Sequence, residues 1–400
     1  MIFATYWFII AVGLFLPLFW LIKNSNVRFF LLAIFCIVFH THFAGPAGVL
    51  PIVVIGVATY VIGLSRNVRA CEFGIFLSVL ALCFYKYTHF LVNDVLAHLN
   101  SGLASHVDKS VTLFLPAAPP LAISFFAFEF IHYLYEVRKG KEPIKGALDF
   151  VQFALFFPSL VAGPIKRYTN FLPSLRHGLG ASNSRDIGQG ALQVACGFFK
   201  KSVIADNLTL YITANGPRFA ALSMPERWLF VAAVTMRVYM DFSGYSDMAI
   251  GFARMLGIQL PQNFNWPYLA CSLQELWQRW HISLSSWIRD YVYIPLGGSK
   301  KGPARKAANG LLAFALCGLW HGAAWNFVLW GLSAGIGLAI NSSYRKLLGP
   351  VGQRLGWFFD RAPAVSWALT ISYFSFGLML FFYPTDQALH MVKLLFVGSF

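Results

Sequence analysis

The chain has 400 residues, 58% of them hydrophobic and only 12% charged, with a mean hydropathy of +0.61. Ordinary soluble domains carry roughly 25% charged residues, so this composition excludes that class and indicates a polytopic membrane protein. A net charge of +15 would point to nucleic acid in a soluble protein, but here the cations cluster in short segments between apolar runs, as positive-inside orientation and anionic headgroups demand.

Apolar runs of spanning or near-spanning length recur along the chain. The first, residues 2–22, has no basic n-region and no small-residue cleavage site, and is expected to be a retained span. Runs 29–43 and 49–64 follow, divided at Gly45-Pro46. Run 73–92 carries Lys86 and His89 near one end, where a long side chain can snorkel. Residues 93–112 are polar and are expected to form an exposed loop or interfacial turn. Past the prolines at 116–120, run 121–137 carries Glu129, His132 and Glu136 and ends at Arg138-Lys139. Run 148–161 stops at a turn holding Lys166 and Arg167. Residues 167–185 read as a polar loop, 188–212 as a mixed helix, and 227–256 as a long helix carrying Arg237, Asp241, Asp247 and Arg254. After 311–340, a late span at 364–383 and a part-apolar helix close the chain. The expected fold class is all-α, with about ten or eleven membrane-associated helices at roughly 20 residues per span. Basic segments 138–145, 166–185 and 300–306 are candidates for the cytoplasmic side. Six cysteines show no paired metal-ligand spacing; five of them (Cys36, Cys83, Cys196, Cys271 and Cys317) sit in apolar contexts and read as small buried hydrophobes, and no metal site is expected.

The chemistry-bearing residues lie in the second half. Residues 239–249 place Asp241, Asp247 and several hydroxyls, Ser243 among them, in an otherwise apolar helix. They form either a polar seam to neighbouring helices or the wall of a substrate tunnel. Pro261 and Pro267 then bracket a segment that opposes continuous helix. Non-helical backbone at membrane depth is tolerated only inside protein or beside a cavity. Asn263 and Asn265 there either donate to a developing oxyanion or satisfy freed backbone groups, and residue physics favours the second.

From Trp277 the pattern is amphipathic on a helical period. Trp277, Trp280, Leu284, Trp287 or Ile288, and Tyr291 fall on one face; Arg279, Ser283, Ser286 and Asp290 fall on the other. Such a helix suits a membrane boundary better than a crossing. His281 sits at the edge of the aromatic face and reads on physics alone as an interfacial residue. A helical Ser283 or Ser285 without a strained elbow reads as a packing or capping residue rather than a nucleophile. Between Lys306 and Arg345 no Asp, Glu, Lys or Arg occurs, yet His321 lies near the middle. An ionisable group at bilayer depth usually faces a cavity and serves function, and a helix-packing role weighs about equally. Trp320, Gly322 and Trp325 around it give close approach and stacking surface. Desolvation is expected to keep such an imidazole neutral, able to accept a proton from a hydroxyl.

At these residues a resemblance emerges. Residues 240–257 (MDFSGYSDMAIGFARMLG), 263–268 (NFNWPY), 277–298 (WQRWHISLSSWIRDYVYIPLGG) and 318–326 (GLWHGAAWN) resemble the membrane-bound O-acyltransferase family, in its bacterial alginate O-acetylase-like branch. The resemblance implies helices in a ring around a funnel, and acyl transfer from a thioester donor to a hydroxyl. It implies that His321 is the catalytic histidine, His281 the second signature histidine, and Asn263 and Asn265 the asparagine motif. With it come Asp241, Ser243, Arg279, Trp320 and Trp325 as candidates for substrate or oxyanion contact. One domain is expected, with peripheral spans in 1–110, a catalytic core in 111–345 and C-terminal spans in 346–400. No bound cofactor is implied; the donor would be acetyl-CoA or an acyl carrier protein thioester. Partners would be a polysaccharide acceptor or a periplasmic SGNH hydrolase-like acyltransferase, with membrane lipids and no nucleic acid, at the bacterial cytoplasmic (inner) membrane. The departures lie in 115–138. Ala117-Ala-Pro-Pro120 and Glu129-Phe-Ile-His132 replace a Gly-containing stretch and Gln-x-x-Ser, which leaves the acceptor open. Longer relatives would carry a further helix or two.

Two rivals from other classes compete with the enzyme. A transporter would also hold polar groups at mid-depth, but the paired halves with matched broken helices common in such folds are not visible. A non-catalytic scaffold of a polysaccharide-modification complex would tolerate loss of His321.

Overall fold

A computed structural model describes residues 2–397 apart from 113, 114, 116–118 and 182. The sequence departure at Ala117 and Ala118 lies outside the described residues. Every regular element among them is helical: the protein is all-α and polytopic, as expected. The first helices in order are α1 (Tyr6–Leu21), α2 (Ser25–Ser65), α3 (Val68–Leu99, with two π turns), α4 (Ser101–Thr112), α5 (Ile123–Arg138), α6 (Ala147–Leu155), α7 (Tyr168–Ala181) and α8 (Ser184–Phe198). A π turn leads into α9 (Asp206–Asn215), followed by α10 (Met224–Met255) and the short pair α11 (Leu273–Arg279) and α12 (Ile282–Ile288). The chain continues through α13 (Pro303–His321), α14 (Trp325–Leu347), α15 (Gly349–Arg361), α16 (Pro363–Phe382) and α17 (Thr385–Leu394). Four of these, α2, α3, α14 and α16, are long and apolar enough to cross a membrane. Large apolar side chains on α1, α2 and α3 such as Leu14, Val57 and Phe76 are exposed, which suits hydrocarbon and not water.

Two compact units form. One holds Met1–Gly197 and Tyr245–Pro261, the other Phe198–Gly244 and Gln262–Phe400, so α10 contributes to both. In the first, Thr5 caps α1 and Asn24 caps α2 by accepting backbone N–H groups of the first turn. Arg28 is buried and donates to the carbonyls of Phe19, Trp20 and Ile22, satisfying the orphan acceptors at the end of α1, and to Leu179 on α7. Gly45-Pro46 breaks α2 as its sequence requires: Gly45 sits at φ +64 inside one 41-residue element.

Several sequence expectations change. Residues 93–112 are not a loop: α3 runs to Leu99, and Asn100 caps α4 by accepting from the Leu103 N–H at 2.9 Å. Residues 167–185 are largely helix, because Phe171, Leu175 and Leu179 repeat at four-residue spacing and all three are buried. Run 148–161 is helical only to Leu155. Pro158 stops it, and Phe156, Phe157, Ser159 and Leu160 are buried as irregular backbone. Lys166 is no exposed orienting charge; it is buried against Glu129, between the rings of Phe153 and Phe171. His132, one turn after Glu129, accepts the Tyr168 N–H at 3.3 Å. Of the cysteines, Cys36, Cys71 and Cys317 are buried, whereas Cys196 is exposed.

In the second unit α13 and α14 form a tight helical hairpin. A Cβ on Gly318 would strike the Phe327 carbonyl, and one on Gly331 the Phe314 carbonyl, so these glycines permit the close backbone approach. The charge-free stretch therefore folds as two helices that turn at residues 322–324, and His321 ends the first of them.

Candidate functional site

The expected single helix from Trp277 is broken. α11 ends at Arg279, Trp280 is extended, and His281 takes a left-handed backbone at φ +43 before α12 begins. An L-residue rarely adopts that conformation, and here neighbouring chain holds it. The Ile282 N–H donates to the Asn263 carbonyl at 2.9 Å, and the Ser283 hydroxyl donates to Asn263 Oδ1 at 2.8 Å. On the other side of the break the Asn265 N–H donates to the Arg279 carbonyl at 2.9 Å. The irregular 263–265 segment thus takes over backbone groups that a continuous helix would have used. Ser272 and Glu275 box the start of α11: Ser272 Oγ accepts the Glu275 N–H, and the Glu275 carboxylate accepts the Cys271 N–H.

The break turns the His281 ring inward. It is 2% exposed, lies edge-on to Phe242 with ring centres 4.6 Å apart, and its Nε2 has no hydrogen-bond partner among the described residues. α11 and α12 are seven residues each, too short to span. Burial first, and the His321 imidazole second, hold His281 well below the usual histidine value, so it is a neutral ring. His321 is half-buried and packed edge-on to Trp330 and Phe381, with ring centres 5.2 and 5.1 Å away. Trp320 lies between the histidines, 6.0 Å from His281 and 4.8 Å from His321.

Both histidines line one cavity of about 260 Å³. Its walls are apolar: Trp277, Trp280, Leu284, Phe314, Cys317 and Trp330. Toward the N-terminus of α13 and the C-terminal part of α14 it reaches Arg289, Tyr293, Lys306, Ser342 and Ser343, and exposed Gln274, Gln278, Arg289 and Ser342 open it to the surface. Lys300, Lys301 and Arg305 are exposed close by in sequence, and Asn309 fixes that loop by donating to the carbonyls of Leu296 and Gly298. The His321 ring is therefore not sealed in. An apolar chamber with imidazoles in its wall and cations at its mouth can take a thin chain with an anionic end and move a proton at its reactive tip.

The remaining sequence candidates are placed differently. Asn263 is fully buried and bonded to Ser283, bracing the His281 break, and it does not line the cavity. Asn265 is exposed, and Arg279 is paired with Glu275 at 2.7 Å; both help shape the break from outside. Asp241 is paired with Lys201 at 2.9 Å and faces Arg237 at 3.8 Å. Ser243 is buried and its Oγ finds no hydrogen-bond partner among the described residues. Trp325 is exposed at the start of α14. Sequence reasoning missed Trp330 and Phe381, which flank His321 from α14 and α16, and Gln274, Gln278 and Tyr293 at the cavity mouth. For Trp330 the signal was its place in the charge-free run; nothing local marked Phe381.

Asn263→Ala is expected to destabilise the protein by about 1–3 kcal/mol, because the Ser283 hydroxyl loses its buried acceptor. Ser283→Ala should add little on top of it. Thermal midpoints of the two single variants and the double variant in detergent check this; additive losses would break the bracing account.

The chain is 36% identical over 328 residues to a probable alginate O-acetylase of Azotobacter vinelandii, covering 77% of this chain and 63% of that protein. It is 32% identical over 334 residues to the peptidoglycan O-acetyltransferase of Helicobacter pylori, covering 77% and 60%. To the teichoic acid D-alanyltransferase of Bacillus subtilis it is 30% identical over 290 residues, covering 64% and 73%. The chain thus spans about three-fifths of the length of the O-acetylating relatives it matches. The family model for membrane-bound O-acyltransferases matches residues 138–383, more than half of the chain and a stretch that includes both cavity histidines. The protein belongs to the membrane-bound O-acyltransferase family.

Proposed function

We propose that this protein is an acyltransferase that moves an acyl group, acetyl in the favoured case, from a thioester donor to a hydroxyl of an extracytoplasmic glycan. The observation that carries the reading is one apolar cavity lined by both His281 and His321 and opening beside a cluster of cations. The thioester's carrier arm enters from the mouth, with its phosphate at Lys306 and Arg289 and its carbonyl near His321. His321 takes the proton of the acceptor hydroxyl; the alkoxide attacks the thioester carbon; the tetrahedral intermediate collapses and the C–S bond breaks. The thiolate leaves toward the mouth and recovers the proton from His321. Neutral His281, which lines the same cavity, orients the reacting groups. The core that does this work lies in residues 111–345, with 1–110 and 346–400 peripheral to it.

Positive-inside charge supports a cytoplasmic mouth at the bacterial inner membrane, hence acetyl-CoA or an acyl carrier protein as donor. The acceptor is a glycan, or a periplasmic hydrolase-like transferase that relays the acyl group to it. The purified protein, given acetyl-CoA and a polysaccharide or peptidoglycan acceptor, is expected to release free thiol in step with acetyl ester formation. Thiol release with no ester on any hydroxyl acceptor, or neither product with either donor class, would defeat the proposal.

A further inference from the structure

We propose that Gly310 sets the bore of the histidine cavity: its missing side chain makes the seat for the widest part of a phosphopantetheine arm, the dimethyl carbon beside the phosphate. The inference rests on the thioester-transfer reading and goes beyond it, to the shape of donor that the cavity accepts.

Five glycines lie inside α13 and α14, and packing explains four of them. A Cβ on Gly318, Gly331, Gly335 or Gly337 would approach an atom of a neighbouring helix to 3.2 Å or less. Gly310 differs. A Cβ there would meet no atom within 4 Å, and its backbone is helical, with no positive φ to require glycine. Glycine weakens a helix relative to alanine, because it has more freedom to lose on folding. Neither packing nor torsion accounts for its presence. The space that a side chain would fill is the cavity, which Gly310 lines.

Position along α13 supplies the register. The helix turns Lys306, Gly310, Ala313, Cys317 and His321 to the cavity at three- and four-residue spacing, one continuous face. At about 1.5 Å of rise per residue, Lys306 and His321 are about 22 Å apart along the axis, and Gly310 is about one turn in from Lys306. A phosphopantetheine arm carries its groups in the same order. Its phosphate ester is followed at once by a carbon bearing two methyls, then by a slimmer chain with a hydroxyl and two amides that runs to the sulfur. With the phosphate at Lys306 and the thioester near His321, the branched carbon falls beside Gly310. Leu284, Ile288, Leu338 and Ala339 line the same cavity and give its methyls an apolar surround.

The test uses the protein purified in detergent, as wild type, Gly310→Leu and Ala308→Leu. Ala308 is exposed on the same helix and lines no part of the cavity, so it controls for a leucine added to α13. Three donors are compared: acetyl-CoA and an acetylated carrier protein, which share the arm, and S-acetyl-N-acetylcysteamine, which ends short of the branched carbon. Gly310→Leu is expected to lower kcat/KM about tenfold or more for whichever arm-bearing donor the wild type uses, the effect of overfilling a fitted space. Its rate with the truncated donor and its KM for the glycan acceptor should stay at wild-type values, as should every rate of Ala308→Leu. Its thermal midpoint should not fall, leucine being the better helix former. The arm-bearing donor that the wild type turns over identifies the source of the arm. Undiminished rates in Gly310→Leu, an equal loss with the truncated donor, or a lowered midpoint would overturn this inference and leave the functional reading standing. Wild type inert toward all three thioesters would overturn both.

Discussion

Cells carrying His321→Ala are expected to lose O-acyl ester on their glycan by at least about a hundredfold while holding the protein at its normal level, since a positioned general base contributes roughly 10²–10⁴ in rate. The size of the effect follows from position. His321 closes α13 in the wall of the cavity, with Trp320, Trp330 and Phe381 around its ring, and none of these three side chains can take over as a base. His321→Gln keeps much of the shape and a hydrogen-bonding group but no proton acceptor of comparable basicity, and should fall nearly as far. His281→Ala should cost less, because that ring acts through its neighbours. Ester content of the isolated glycan, normalised to membrane protein by immunoblot, gives the measurement. Normal acylation in His321→Ala would remove the enzyme reading and leave the scaffold.

The second large effect concerns the buried pair Glu129–Lys166 in the other compact unit. The two side chains are 5% and 1% exposed. Removing one partner leaves an uncompensated charge in a low-dielectric interior, at a cost of about 3–5 kcal/mol. Lys166→Met and Glu129→Leu should therefore each depress the thermal midpoint strongly and lower expression. The double variant, with no charge to desolvate, should recover much of the loss and can approach the wild type. Midpoints of all four proteins in one detergent decide it: two near-neutral single variants, or a double variant no better than the worse single one, would contradict the desolvation argument. His132 accepts the Tyr168 N–H through Nε2 and is expected to keep that bond in all four proteins.

These predictions draw unequally on sequence and structure. Membrane class, helical class and the break at Gly45-Pro46 were legible because they rest on local quantities: hydropathy along a window, and the torsions that glycine and proline allow. The histidine motif at 318–326 was equally legible, since an imidazole in a charge-free stretch is conspicuous. Period-based readings failed where a second segment intervened. The Trp277 pattern fits a helix only through residue 279; Asn263 takes hydrogen bonds at 282 and 283 that the next turn would have used, and the helix breaks. Residues 167–185 failed the other way: their polar surface outweighed the buried row of Phe171, Leu175 and Leu179.

By itself the sequence determined that this chain lives in a membrane, folds as helices and carries a family motif around His321, because those properties follow from composition and short-range order. Only the tertiary structure decided that His281, on the far side of a helix break, lines the same chamber as His321, that Asn263 is a brace and lines no part of that chamber, and that Lys166 is sunk against Glu129. Contacts between segments tens of residues apart depend on which backbone groups are left unsatisfied once the chain folds, and no local pattern records that.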